Sequence, residues 1–237
     1  AIRPTPQLPD RLRVHGVGAR GREAQPDLIF VVDADALHYA FVPTVRIVGE
    51  RVQLESAARP ALPAWGEIPL GDDGRAVVLP FDDLVERLRP VAGRVPGAEV
   101  GLAATAEVAS LRISRVLLSM VRAGMEPPAL LSRGLHDEAR SLPVELVMGE
   151  EREPPLELFV RMGGYSLSRR GAGSEDIPRV RDDRGLHFDL ATLERRARAA
   201  GDVPAALRYM GVVEWGTVLD AAFHLRPESG PLSLVLY

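Results

Sequence analysis

The sequence predicts an α/β fold built as two tandem small domains, each a mixed β-sheet with two helices packed on it. Three observations carry this. Short, continuous runs of branched apolar residues, such as Leu28-Ile-Phe-Val-Val32, read as buried strands. Segments between such runs, above all 81–92 and 108–122, place apolar residues at helical spacing. From Asp176 onward the chain also writes again, in shorter form, the order of elements found over 67–131. The division expected is a linker over 1–26, a first domain over 27–141 and a second over 142–237.

Composition agrees and excludes several functions. A chain of 237 residues accommodates two units of about 100–120 residues, each large enough for its own core. Hydrophobic residues at 46% and charged residues at 26% place it among chains that fold rather than among disordered ones. A net charge of −4, with no basic stripe interleaved with aromatics, argues against nucleic acid as partner. All 29 basic residues are Arg, so no lysine nucleophile or Schiff base is available. The absence of Cys removes disulfides, thiolate nucleophiles and Cys-based metal sites. No apolar run reaches the roughly 18 residues of a membrane span. Because the chain begins at Ala1, the expectation is a processed protein or an excised soluble part, with room for a membrane anchor upstream.

In order, Pro4, Pro6, Pro9 and Pro26 suit a tether. A strand over 28–32 is followed by a hairpin over 44–54, turning at Gly49-Glu50, then by a Pro-rich loop over 59–65. A turn at Asp72-Asp73-Gly74 precedes a strand over 75–79. The next helix buries Phe81, Leu84, Val85, Leu88 and Ala92 and opens with Asp82 and Asp83, which suit the positive end of its dipole. A strand over 99–104 leads to a helix striped by Ile113, Val116, Leu117, Met120 and Val121, then to a last strand over 129–131.

The second half is read against this template. Residues 144–148 parallel the strand at Leu28, and 156–167 parallel the hairpin, with Val160-Arg161-Met162 standing for Val45-Arg46-Ile47. Asp176-Ile-Pro matches Glu67-Ile-Pro, and Asp182-Asp183 matches Asp72-Asp73. Asp189 caps the next helix with Phe188 as its staple, and Trp215, Val218, Leu219, Ala222 and Phe223 form the stripe of the last one.

The most enzyme-like feature is Asp33-Ala-Asp35 after an apolar strand, since two carboxylates at a strand end can hold Mg²⁺ or present a phosphoryl-accepting Asp. This resembles haloacid-dehalogenase-type phosphatases locally, although such enzymes also use a Lys, which is absent. The pairs Asp72-Asp73 and Asp182-Asp183 read as turns. His15, His38, His136, His187 and His224 lack metal-ligand spacing, and no G-x-S-x-G elbow or G-x-G-x-x-G loop occurs. Gly163-Gly164 and Gly171-Ala-Gly173 read as turns, and Arg195, Arg196 and Arg198 as a solvated helix face. Trp65, in a loop beside Pro60 and Pro63, is the candidate partner contact.

The stretch Glu67-Ile-Pro-Leu-Gly-Asp-Asp-Gly, then a strand, then Phe81-Asp-Asp-Leu-Val-Glu-Arg-Leu, resembles the periplasmic domain of the ExbD/TolR family. So do Glu99-Val-Gly-Leu-Ala-Ala, the helix after it, Arg122-Ala-Gly-Met125 and a closing strand. Thr105 departs from the family's Ala-Asp strand end, and that family's transmembrane helix with its proton-handling Asp is absent. The resemblance implies a non-catalytic binding or scaffolding module, without cofactor or metal, in a bacterial cell-envelope and energy-transducing assembly. It implies a periplasmic place, anchorage to the inner membrane from upstream, partners among envelope proteins or the cell wall, and pairing of two copies through strands. The alternatives are a Mg-dependent phosphotransfer enzyme using Asp33 and Asp35, and a cytosolic adaptor of the same fold.

Overall fold

The structure, a computed structural model, describes residues 21–24, 26–41, 44–48, 51–55, 65–70, 79–92, 99–133, 139–149, 154–183, 185–225 and 232–236. The turn at Gly49-Glu50, the loop over 59–64, Asp72-Asp73-Gly74, the strand expected from 75 and most of the 1–26 linker lie outside these residues.

Strands β1 (Arg22–Glu23), β2 (Leu28–Val32) and β3 (Ala36–Phe41) come first. Strands β4 (Thr44–Val48), β5 (Arg51–Glu55) and β6 (Trp65–Pro69) follow. Then come α1 (Asp82–Ala92), β7 (Val100–Ala104), α2 (Ser110–Arg122), β8 (Ala129–Arg133) and β9 (Ala139–Leu142). A seven-stranded sheet has the order β1-β9-β8-β7-β2-β3-β6. Its centre, β2, β7 and β8, is parallel, and β3 and β6 continue it antiparallel on one side. Such a centre is buried on both faces, which explains why Leu28–Val32 is apolar without alternation.

The remaining elements are β10 (Val144–Met148), β11 (Leu156–Arg161), β12 (Gly164–Arg169) and β13 (Gly173–Pro178). They are followed by β14 (Val180–Asp182), β15 (Gly185–His187) and α3 (Leu190–Ala200). Last come β16 (Ala205–Tyr209), α4 (Trp215–Leu225) and β17 (Leu232–Leu236). The second sheet runs β10-β17-β16-β11-β12-β13. The class is α/β, as the sequence predicts.

Both sheets share one frame: a strand, a hairpin partner, a third antiparallel strand, a helix, a parallel strand, a second helix and a second parallel strand. Register repeats with topology. Leu28 pairs with Val100 as Leu156 pairs with Ala205, and Leu37 pairs with Ile68 as Tyr165 pairs with Ile177. The Ile-Pro match is therefore structural, with Pro69 opposite Ala36 and Pro178 opposite Gly164.

Two correspondences read from the sequence are corrected. The counterpart of β2 is β11 rather than 144–148, and the counterpart of β11–β12 is β2–β3 rather than the 44–54 hairpin. That hairpin exists, but β4 and β5 pair with each other in a sheet of their own. The polar alternation of 44–54 resembled that of β11–β12, whereas β2 hides its hairpin behind an unbroken apolar run.

The helices pack largely as their stripes predict. Ile113, Val116, Leu117 and Met120 are buried, as are Trp215, Val218, Leu219, Ala222 and Phe223. Val121 is exposed and Ala92 half-buried, Val91 taking the inner position in α1. The first turn of α1 is held from α2: Ser119 Oγ accepts from the Phe81 N–H at 2.8 Å. The Arg115 guanidinium lies 3.8 Å from the Phe81 ring centroid while its Nε donates to the Leu79 carbonyl at 2.9 Å.

One cluster of buried side chains runs through both halves, and the loops before α2 and α4 interlock. Ser110 N–H donates to Val213 O at 2.9 Å, and Trp215 N–H donates to Val108 O at 2.8 Å. Leu111 N–H donates to Gly211 O, and Gly216 N–H to Ala106 O, both at 2.9 Å. Exchanging the halves turns each bond of a pair into the other, so the junction is locally two-fold. Beneath it Ser114 Oγ and Tyr209 Oη lie 2.8 Å apart, and burial pushes the Tyr209 phenol up to about 12 despite that bond. Among the described residues no helix is long and apolar enough to cross a membrane.

Candidate functional site

Asp33 and Asp35 lie at the β2–β3 hairpin turn rather than at a free strand end. Asp33 Oδ1 accepts from the N–H groups of Asp35 and Ala36 at 2.9 and 2.8 Å, an Asx-type turn. Its Oδ2 lies 2.7 Å from Nε2 of the buried His38. Burial opposes ionisation, but the Asp35 N–H, His38 and the Ala36 N–H together hold the carboxyl below its ordinary value. Both oxygens thus have structural partners inside the hairpin. Sequence reading missed His38 because the apolar run concealed the turn that brings it back.

The other candidates separate widely. Trp65 heads β6, at the end of the first sheet's strand order, rather than standing in a loop. Asp182 ends β14 in the β14–β15 turn. Arg195, Arg196 and Arg198 engage Thr192, Glu175 and Glu194 on an exposed face. His187 and His224 bond to the backbone carbonyls of Gly185 and Asp220. Among the described residues no three His, Asp or Glu side chains gather as a metal site would require.

A site that no motif announced lies between the β14–β15 hairpin, the β11–β12 turn and the start of α4. It is a groove of about 520 Å³. Met162, Leu186 and Val212 line it while 54%, 48% and 67% exposed. Phe188, Leu190 and Val213 deepen it. Arg179 is held in the wall, its Nη2 donating to the Leu186 carbonyl at 2.8 Å with the guanidinium 5.0 Å from the Phe188 ring centroid.

Tyr165, 1% exposed, also lines the groove, with its ring 5.1 Å from that of Phe188. Its hydroxyl has no hydrogen-bond partner among the described residues. Burial, then Asp220, then Asp189 push this phenol far above its ordinary value, so it stays protonated. Glu214, Thr217 and Asp220 complete the lining from α4 and the residue before it. The arrangement can offer an apolar contact strip, two carboxylates and a phenol, which is recognition chemistry rather than a nucleophile with its base.

The matching positions of the first half do not carry this chemistry. The paired registers place Leu37 where Tyr165 stands, Ala109 where Glu214 stands and Arg115 where Asp220 stands. The frame does not require the polar lining. A second concavity, of about 720 Å³, lies on the face of the second sheet that carries Glu157 and Arg208, which pair with each other at 3.1 Å. Compared with known proteins, the chain matches no family model, no curated protein and no solved structure.

Proposed function

We propose that this chain is a non-catalytic binding and scaffolding module of a bacterial cell-envelope, energy-transducing assembly, with the groove beside α4 as its contact surface. The observation that carries the reading is the set of exposed aliphatics Met162, Leu186 and Val212 held in water around a groove of mixed apolar and polar lining. Exposed aliphatics cost solvation free energy, and a gathered set of them marks an interaction surface. The succession helix, strand, helix, strand over 82–133 is the one that the ExbD/TolR resemblance implies, and it supports the envelope reading. On that reading the module is periplasmic, anchored to the inner membrane by a segment outside this sequence. Its partners are envelope proteins or the cell wall. Two copies associate through strands, and Trp65 on the edge strand β6 is a second contact.

The test uses the whole chain as bait with cross-linking in envelope extracts. Val212→Glu and Leu186→Glu should keep their circular dichroism and melting temperature and lose the captured partner. Recovery of the same partner by both variants would remove the groove from the proposal. A fusion product of the full gene found only in the cytosol would favour the adaptor reading.

The enzymatic alternative uses Asp33 and Asp35 with Mg²⁺. The commitment of both Asp33 oxygens to its own hairpin favours the binding reading. Heat released on Mg²⁺ titration of the wild type and lost in Asp33→Asn would reverse the preference.

A further inference from the structure

We infer that the groove takes an extended peptide segment of a partner protein that presents an arginine or lysine flanked by aliphatic residues. This rests on the binding reading above and names the chemistry of the partner.

Charge decides the first part. The groove's own cation, Arg179, is turned into the wall toward the Leu186 carbonyl and the Phe188 ring. The charged groups contributed by α4 and its preceding residue are the carboxylates Glu214 and Asp220. Glu214 stands at the positive end of the α4 dipole, and Asp220, further along the helix, lines the same groove. A cationic nitrogen entering here meets attraction from both.

The Tyr165 hydroxyl supplies the second part. A buried hydroxyl without a partner is unusual and calls for an explanation. A guanidinium or ammonium group carries several N–H donors and no acceptor, so it matches a groove lined by a phenol and two carboxylates. Because the first half keeps the same frame with Leu37, Ala109 and Arg115 at the matching positions, the set is not a by-product of folding.

Shape supplies the third. A volume of about 520 Å³ lies within the usual range for ligand sites, about 300–1,000 Å³. The exposed aliphatics come from three separate elements around it, which suits a chain with apolar residues on either side of the anchored cation.

The experiment is phage display of random decapeptides on the immobilised full chain, followed by fluorescence anisotropy with the enriched peptides. Enriched sequences should carry Arg or Lys between aliphatic residues. Replacing that Arg by citrulline should weaken binding about tenfold or more, and Asp220→Asn with Glu214→Gln should do the same. Tyr165→Phe, which removes no hydrogen bond among the described residues, should weaken binding severalfold without loss of folding. Enriched peptides lacking a basic residue, yet displaced by Val212→Glu, would overturn the cation assignment and leave the groove a binding surface. Peptides indifferent to Val212→Glu, or no enrichment at all, would overturn the peptide site itself. In that case the partner capture described above decides separately whether the groove binds anything.

Discussion

Ala109 and Glu214 face each other across an isolated antiparallel bridge, and each holds in its own half the position that the other holds in the second. The bonds around this bridge are two equivalent pairs, so closing one half's loop completes the other's. Small residues make the approach feasible. A Cβ on Gly211 would stand 2.9 Å from Leu111 Cβ, and one on Gly216 would stand 2.9 Å from Ala106 Cβ. Gly216→Val and Gly211→Val should each cost about 1–3 kcal/mol, as overpacking does. Urea unfolding checks this, and midpoints equal to the wild type would mean that the junction is not tight.

The Phe81–Ser119 bond predicts a second effect. Ser119→Ala leaves the Phe81 N–H without its side-chain acceptor at the start of α1, and a lost cap of this kind costs about 0.5–2 kcal/mol. Amide hydrogen exchange should quicken in 81–85 before the rest of the chain. Unchanged exchange there would show that the cap is dispensable.

Asp33 should stabilise the hairpin with a definite pH dependence. Its folded carboxyl is held below the ordinary value, so the unfolded chain takes up the proton first. The contribution is present above the unfolded value, near 4, and is lost as pH falls through the lower folded value. Asp33→Asn keeps an acceptor for the turn but loses the charge facing His38, and should be less stable by about 1 kcal/mol at neutral pH. The difference should shrink below about pH 4. Urea midpoints that differ equally at neutral and acid pH would contradict this.

Alkaline stability should be governed by tyrosines. With no Lys or Cys in the chain, few other side chains titrate in this range. Tyr39, Tyr165 and Tyr209 are all raised by burial, Tyr209 to about 12. A raised folded value means stability is complete below the unfolded value, near 10, and is lost as pH rises through the folded one. In a Tyr237→Phe background, Tyr237 lying outside the described residues, phenolate absorbance should therefore appear together with loss of helix signal, and phenolate formation in a still folded chain of that variant would refute it.

Tyr165→Phe separates binding from folding. Removing a buried hydroxyl that has no partner among the described residues should leave stability equal or raise it by about 1 kcal/mol, while affinity for cationic peptides falls. A melting temperature that drops by several degrees would show that the hydroxyl has a structural role.

Much of the frame was legible. The stripes of α2 and α4, the Ile-Pro match and the Asp189 cap all follow from local physics, and Asp189 Oδ1 does accept from the Thr192 N–H at 2.9 Å. The β2–β3 hairpin was not legible, because burial on both faces erases the alternation that marks strands. The groove was not legible either. Tyr165, Leu186 and Asp220 belong to separate elements, none of them in a motif.

By itself the sequence determined the α/β class, the placement of helices α1 to α4 and the repeated order of elements over 67–131 and 176–236, since apolar periodicity and turn chemistry act between near neighbours. Only the tertiary structure decided which strand answers which across the repeat. It also decided that Asp33 serves its own turn and that α4 meets β12 and the β14–β15 hairpin in a groove. The reason is physical. Register, burial and the convergence of charges are set by contacts between segments far apart in the chain, and those contacts exist only once the sheets have closed.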